Sequence, residues 1–265
     1  MAAMTPSPAL AESHRVRLHP VDPMRPLSWL ARGGSDLLRC PLPGLLHGLA
    51  MAAFGAALFV LAGQRFWLLA GAFSGFLLVA PIVATGLYAV SRALERGQPA
   101  GLATALRAWR PDNGRLVVFG LLLALAGTGW VMTSAALITR FASAPVNNPA
   151  DFLRIVVLDD SHWLFESWLV LGGVLAAPVF ASSVISIPLL LERRIGVLAA
   201  VLTSWRVVMA HPAAMALWAG IIMALSFAGM ATALLGLVVV VPWLAHASWH
   251  AYRDLVDASA LPERP

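Results

Sequence analysis

Read for where apolar and polar residues fall, the chain is a series of long uncharged stretches separated by short arginine-bearing connections. The stretches run to about twenty residues, which is what an α-helix rising ~1.5 Å per residue needs to cross a ~30 Å hydrocarbon layer. The pattern predicts six transmembrane helices, at about 44–63, 66–90, 116–138, 164–191, 213–229 and 230–250. The last pair rests on length. From Ala213 to His250 there is no charged residue, and a single helix of that stretch would be roughly 57 Å long, nearly twice the apolar layer. A hairpin near Gly229 is therefore expected.

Ahead of the first span, residues 1–25 are proline-rich and aperiodic and read as a disordered cytoplasmic tail. In 26–39, Leu27, Leu30, Leu37 and Leu38 are mixed with Arg32, Asp36 and Arg39, a pattern expected of a helix lying in the membrane interface. Residues 26–257 then form one all-α integral membrane domain, and 258–265 a C-terminal tail. The first 25 residues lack the apolar core of a secretory signal, so the first span is expected to direct insertion.

Composition sharpens this picture. The chain is 60% hydrophobic and 12% charged with a mean hydropathy of +0.80, whereas about a quarter of the residues in soluble domains are charged. All 18 basic residues are arginine, which with the alanine, glycine and leucine load suggests a GC-rich bacterial genome. The net charge of +5 does not point to nucleic acid, because the arginines cluster at the ends of apolar runs, where they set topology. Fifteen fall on the side shared by the N-terminus, the even connections and the C-terminus, against Arg65, Arg140 and Arg154 on the other. The positive-inside rule puts the fifteen in the cytoplasm, so both termini are expected inside a bacterial inner membrane. Trp67, Trp163 and Trp168 would mark the outer interface, and Trp29, Trp109, Trp205 and Trp249 the inner one.

The sequence also resembles itself. Residues 79–97, VAPIVATGLYAVSRALERG, align without gaps to 176–194, AAPVFASSVISIPLLLERR, with six identities that include Pro81/Pro178, Ala84/Ala181, Glu95/Glu192 and Arg96/Arg193. Trp109–Arg110 is matched downstream by Trp205–Arg206, and VPWLAHASWHAYRDL offers a third copy with Pro242 and Ala245 in the equivalent places. Cys40–Pro41 and His211–Pro212 introduce spans one and five alike. These correspondences predict three parallel helical-hairpin repeats, each preceded by a cytoplasmic interfacial helix.

The stretches PLSWLARGGSDLLRCPLPGL, LLVAPIVATGLYAVSRALERG, SVISIPLLLERR, LTSWRVVMAHPAAMALW and LAHASWHAYRDLV resemble a bacterial family of predicted integral membrane proteins of unknown function. The resemblance covers roughly residues 25–257 and implies a membrane fold without implying an activity. Members at times carry the label cytochrome c oxidase subunit I. Such a subunit has about twelve spans and six metal-ligating histidines; His47, His246 and His250 of a six-span chain cannot fill those roles.

A smaller haem or metal site is the remaining use for these three. His246 and His250 are four apart and share a helix face, and His47 lies near the same depth in span one, as an imidazole cluster would require. The commoner role for histidines in the last turns of a helix is hydrogen bonding to open backbone carbonyls. No cofactor is assigned. Intramembrane carboxylates, the usual mark of a transport pathway, are nearly lacking, since Glu166 sits in the first turn of span four, where it complements the helix dipole. Pro81, Pro178 and Pro242 could open the backbone onto a cavity, but packing kinks are the ordinary reading. Glu95–Arg96 and Glu192–Arg193 are expected to pair with Trp109–Arg110 and Trp205–Arg206 of the helices that follow. GLLHG (44–48) and GAFSG (71–75) have the spacing that lets helices approach closely. The loop 140–163, with Asp151, Asp159 and Asp160, reads as solvated. Cys40 is a lone small residue. No nucleophile elbow, phosphate loop or zinc signature is present. The expectation is a non-catalytic accessory or scaffold protein with the lipid bilayer and a membrane protein as its partners; the rivals are a small-solute or lipid transporter and a haem-binding component.

Overall fold

The computed structural model describes residues 7–62, 84–108, 114–159 and 163–264. Among the described residues, four helical stretches are long and apolar enough to cross a bilayer: Pro41–Leu58, Gly114–Phe141, Leu164–Glu192 and Pro212–Ala231. They answer to the first, third, fourth and fifth expected spans. Most of the second, 66–90, lies outside the described residues, as do Pro81, Trp109, Arg110, Asp160 and the GAFSG stretch. The chain divides into two units, one made of Met1–Ala52, Pro81–Phe119 and Phe180–Pro265, the other of Ala53–Ala80 and Gly120–Val179.

The first unit is built around α12, Leu237–Leu255. This is the expected sixth span, but its second half carries Trp243, His246, Trp249, His250, Tyr252, Arg253 and Asp254, and much of it is buried by protein. Its main neighbour is α2, Arg25–Arg39, which starts at a proline and buries Trp29, Gly33, Asp36 and Leu37 along one face. Gly33 touches the α12 backbone, for a Cβ there would stand 2.5 Å from the Ala247 nitrogen. Trp243 Nε1 donates to Leu30 O at 2.7 Å, and Trp29 stands edge-on to Trp218 at 5.8 Å. The apolar face of α2 is thus matched to a helix 200 residues away in sequence.

At Cys40 the chain turns, because Pro41 cannot continue the α2 hydrogen bonding but is suited to open α3, Pro41–Ala62. Gly44 and Gly48 of α3 face Pro242 and the Val238 backbone, so the GLLHG spacing does bring two helices together. The same junction recurs where α10, Val197–Ala210, ends at His211 and Pro212 opens α11, Pro212–Ala231.

The α11–α12 hairpin turns at residues 232–236, with Ala233 and Leu234 at positive φ, rather than at Gly229. Gly229 remains helical and serves close approach instead: a Cβ there would meet Leu237 Cδ2 at 2.8 Å, and one on Gly236 would meet Gly229 Cα at 2.8 Å. Thr232 closes the turn, donating to Gly229 O and accepting from Gly236 N.

The expectation of a disordered 1–25 is corrected over the described residues 7–25. Helix α1, Pro8–His14, packs on α10; Ser13 Oγ meets Thr203 Oγ1 at 3.0 Å, Glu12 accepts from Gly196 N, and Arg206 donates to Ser13 O at 2.7 Å. Strand β1, Arg17–Leu18, then pairs antiparallel with β2, Val256–Asp257. Long-range backbone pairing orders this segment, and no local periodicity announces it. The C-terminal tail is likewise packed, with Leu261 buried and Arg194 N donating to Pro262 O.

In the second unit, α6 (Gly114–Phe141) and α8 (Leu164–Ser183) supply residues to a cluster of Ile138, Val146, Ile155, Val156 and Leu164. Trp168 Nε1 donates to Ser134 Oγ at 2.6 Å, and Gly172 leaves room for Trp130. The expected solvated loop 140–163 holds a short helix α7, Pro149–Phe152, continued by a π-turn over Leu153–Val157 whose Ile155 and Val156 are buried. Ile155 and Val156 belong to the same cluster.

Candidate functional site

Two polar groupings occupy the first unit. One joins α2, α12 and α4, Thr85–Glu95. Asp36 Oδ2 lies 2.7 Å from Ser91 Oγ and 2.8 Å from His250 Nε2, and Ser91 Oγ is 2.7 Å from His246 Nδ1. Asp36, Ser91 and His246 are all buried. Burial alone would push the Asp36 carboxyl up, but the hydrogen bonds from His250 and Ser91 outweigh it and hold the group below the usual carboxylate range. His47 stands beside this grouping on α3, its Nδ1 2.7 Å from Pro43 O, and interacts electrostatically with His246.

The structure therefore gathers the three candidate histidines in one region but gives each a hydrogen-bond partner. Among the described residues no three His, Cys, Asp or Glu side chains stand where they could jointly hold a metal ion. Asp36 and Ser91, which link the histidines, escaped the sequence reading. The available signal was spacing, since Trp29, Gly33 and Asp36 fall on one helical face and place the only acid of α2 on its buried side.

The second grouping gathers the repeat's glutamates at the end of α12. Glu192 of α9, Ser186–Glu192, has a side chain 1% exposed; it accepts from Tyr252 OH at 2.6 Å and pairs with Arg96 at 3.4 Å and Arg253 at 3.7 Å. Glu95 accepts from Trp249 Nε1 and Arg253 Nε, both at 3.0 Å. Arg92 and Arg96 both reach Glu263 of the tail and hold its carboxyl down to about 2. Asp254 gathers Arg25, Arg32 and Trp29 at 2.7, 2.5 and 2.9 Å, and these hydrogen bonds outweigh burial and keep it below the usual range.

The expected pairing of Glu192–Arg193 with Trp205–Arg206 is corrected. Trp205 Nε1 donates to Ser182 Oγ, Arg206 is taken by the carbonyls of the N-terminal segment, and Arg193 donates to Leu261 O. The N-terminal segment and the C-terminal tail take these arginines instead. Of the prolines, Pro178 lies inside α8 with an exposed ring and Pro242 inside α12, buried against Gly44. Ala84, Ala181 and Ala245 are all buried.

Apolar helices of spanning length, with the charges among the described residues lying at their ends and in these two polar groupings, define a multi-pass α-helical integral membrane protein. Residues 68–192 match the model of the family described as predicted integral membrane protein (DUF2189), the membrane family of unknown function that the sequence resembles. No curated protein and no solved structure matches the chain.

Proposed function

We propose that the chain is a non-catalytic accessory or scaffold protein of a bacterial inner membrane, crossing it six times with both termini in the cytoplasm. The observation that carries this reading is the use made of charge. Asp36, Glu95, Glu192, Asp254 and Glu263 each bind residues from other segments of the same chain, so these carboxylates brace helices rather than line a path. In this reading the spans form three parallel hairpins. Supporting it are the burial of Ala84, Ala181 and Ala245 and the meeting of Glu95 and Glu192 on the last turns of α12. The outward surface of α6 and α8, with Leu121, Leu125, Leu169 and Val174 exposed, is apolar and suits lipid or another membrane helix.

Extraction from native membranes in mild detergent, with cross-linking and mass spectrometry, tests the proposal. A reproducible stoichiometric membrane partner is expected. Solute flux through proteoliposomes of the protein alone would refute the scaffold reading in favour of a carrier.

A further inference from the structure

We infer that Arg115, Arg194 and Arg264 form a headgroup site for an anionic phospholipid. Three segments bring them together. The extended backbone at Arg193 bridges antiparallel to Glu263 of the C-terminal tail, and Arg194 N donates to Pro262 O at 2.9 Å. Arg264 Nε donates to Arg193 O at 3.1 Å, and Arg115 Nη1, from the first turn of α6, donates to Ile195 O at 2.8 Å. Two guanidiniums are thus tied to the carbonyls on either side of Arg194. Burial first, then the charges of Arg115 and Arg194, push the Arg264 guanidinium below its usual range.

Among the described residues no carboxylate answers these three cations, because the acids beside them are spent elsewhere. Glu192 serves Tyr252, Arg96 and Arg253; Glu263 serves Arg92 and Arg96; Glu12 accepts from Gly196 N. The first turn of α6 holds no acid either, although the helix dipole favours negative charge there. Arg115 and Arg264 each spend one side-chain donor on a carbonyl, which leaves planar N–H forks of the kind that grip phosphate oxygens. The neighbouring surface fixes which phosphate. Val117 and Val118, next along α6, are exposed, as is Leu198 at the start of α10, and α6 is long and apolar enough to cross a bilayer. A phosphate that carries acyl chains satisfies both the cations and this apolar surface, whereas a free phosphate satisfies only the cations. A zwitterionic headgroup would bring its ammonium against three arginines, so the site selects a lipid of net negative charge.

The test is native mass spectrometry of the purified full-length protein in detergent, titrated with dioleoylphosphatidylglycerol or with dioleoylphosphatidylcholine. One phosphatidylglycerol per chain is expected to stay bound while phosphatidylcholine is shed. Arg115→Gln, Arg194→Gln and Arg264→Gln should each weaken retention about fivefold, and the three together about a hundredfold. Arg39→Gln, which removes an exposed arginine of α2, should change nothing, and excess inorganic phosphate should not displace the lipid. Equal retention of the two lipids overturns the inference, as does a loss in Arg39→Gln equal to that in the other variants. Displacement by inorganic phosphate overturns it too, since the site would then be one for the free anion. The comparison of lipids on the wild-type protein decides the matter even where an arginine variant fails to fold.

Discussion

Replacing Gly33 by alanine adds one methyl group to the tightest part of the α2–α12 contact. Its carbon would lie 2.5 Å from Ala247 N and 2.8 Å from Ala247 Cα and Cβ, all of them backbone or backbone-anchored atoms that no side-chain rotation removes. Ordinary contact begins at 3.4 Å, so the helices must part locally by about 0.9 Å. Overpacking of this kind costs about 1–3 kcal/mol. The 2.8 Å bond between His250 and Asp36 crosses the same pair of helices, and so does the 2.7 Å bond from Trp243 to Leu30 O. Lengthened by a similar amount, neither remains a hydrogen bond. At roughly 2–4 °C per kcal/mol for a chain of this size, Gly33→Ala should lower the melting temperature on the order of 5 °C. Tryptophan fluorescence of the protein in detergent reads this directly, since Trp29 and Trp243 lie at the contact. Gly34→Ala is the graded control, for its methyl would meet only the Trp243 side chain at 3.2 Å, and Gly220→Ala the neutral one, with nothing within 4 Å. A Gly33→Ala protein melting with Gly220→Ala would refute the argument that backbone contact sets this interface.

Three further outcomes follow from the polar groupings and the topology. Glu192→Ala should cost about 1–3 kcal/mol, because it leaves the buried Tyr252 hydroxyl without its acceptor while Arg96 and Arg253 keep Glu263 and Glu95, whereas Glu95→Ala, at a carboxylate 35% exposed, should cost no more than about 1 kcal/mol; a larger loss for Glu95→Ala in denaturant melts would contradict the difference in burial. Glu263 sits at about 2 in the folded chain against 4.5 for an ordinary glutamate, so its contribution to tail docking is complete above the ordinary value and disappears as pH falls through the folded one. A dye on Ala260→Cys, in a Cys40→Ser background, should gain rotational freedom over that window, and at neutral pH in Glu263→Gln; constant anisotropy in both cases would dismiss the clamp. Finally, Asn147→Cys should react with an impermeant thiol reagent applied from the periplasm and Gln98→Cys should not, the opposite labelling reversing the assigned orientation.

The apolar skeleton was legible because spans obey a local rule. Hydropathy and length locate four stretches of helix within a few residues, and proline chemistry marks the Cys40–Pro41 and His211–Pro212 junctions. What escaped was pairing at a distance. Nothing in residues 7–25 foretells that β1 meets β2 or that Arg206 prefers the Ser13 carbonyl to Glu192, since each outcome depends on which segments the fold brings alongside. Gly229 misled for a related reason: a glycine next to a turn serves the crossing of two helices as readily as the turn itself, and the choice is made by Leu237 on the other side. The histidines were found by type, while Asp36 and Ser91, which link them, belong to helices far away in sequence.

The union of α2 with α12 also dictates an order of assembly. During synthesis α2 is made early, yet the surface that covers Trp29, Gly33 and Asp36 belongs to one of the last helices to leave the ribosome. Contacts so distant along the chain form late. Until they do, Asp36 lacks its α12 partner His250 and the N-terminal strand lacks β2. A nascent chain stalled before residue 237 therefore carries an exposed amphipathic helix and an unpaired strand at its front end, the kind of surface by which chaperones and proteases recognise unfinished membrane proteins.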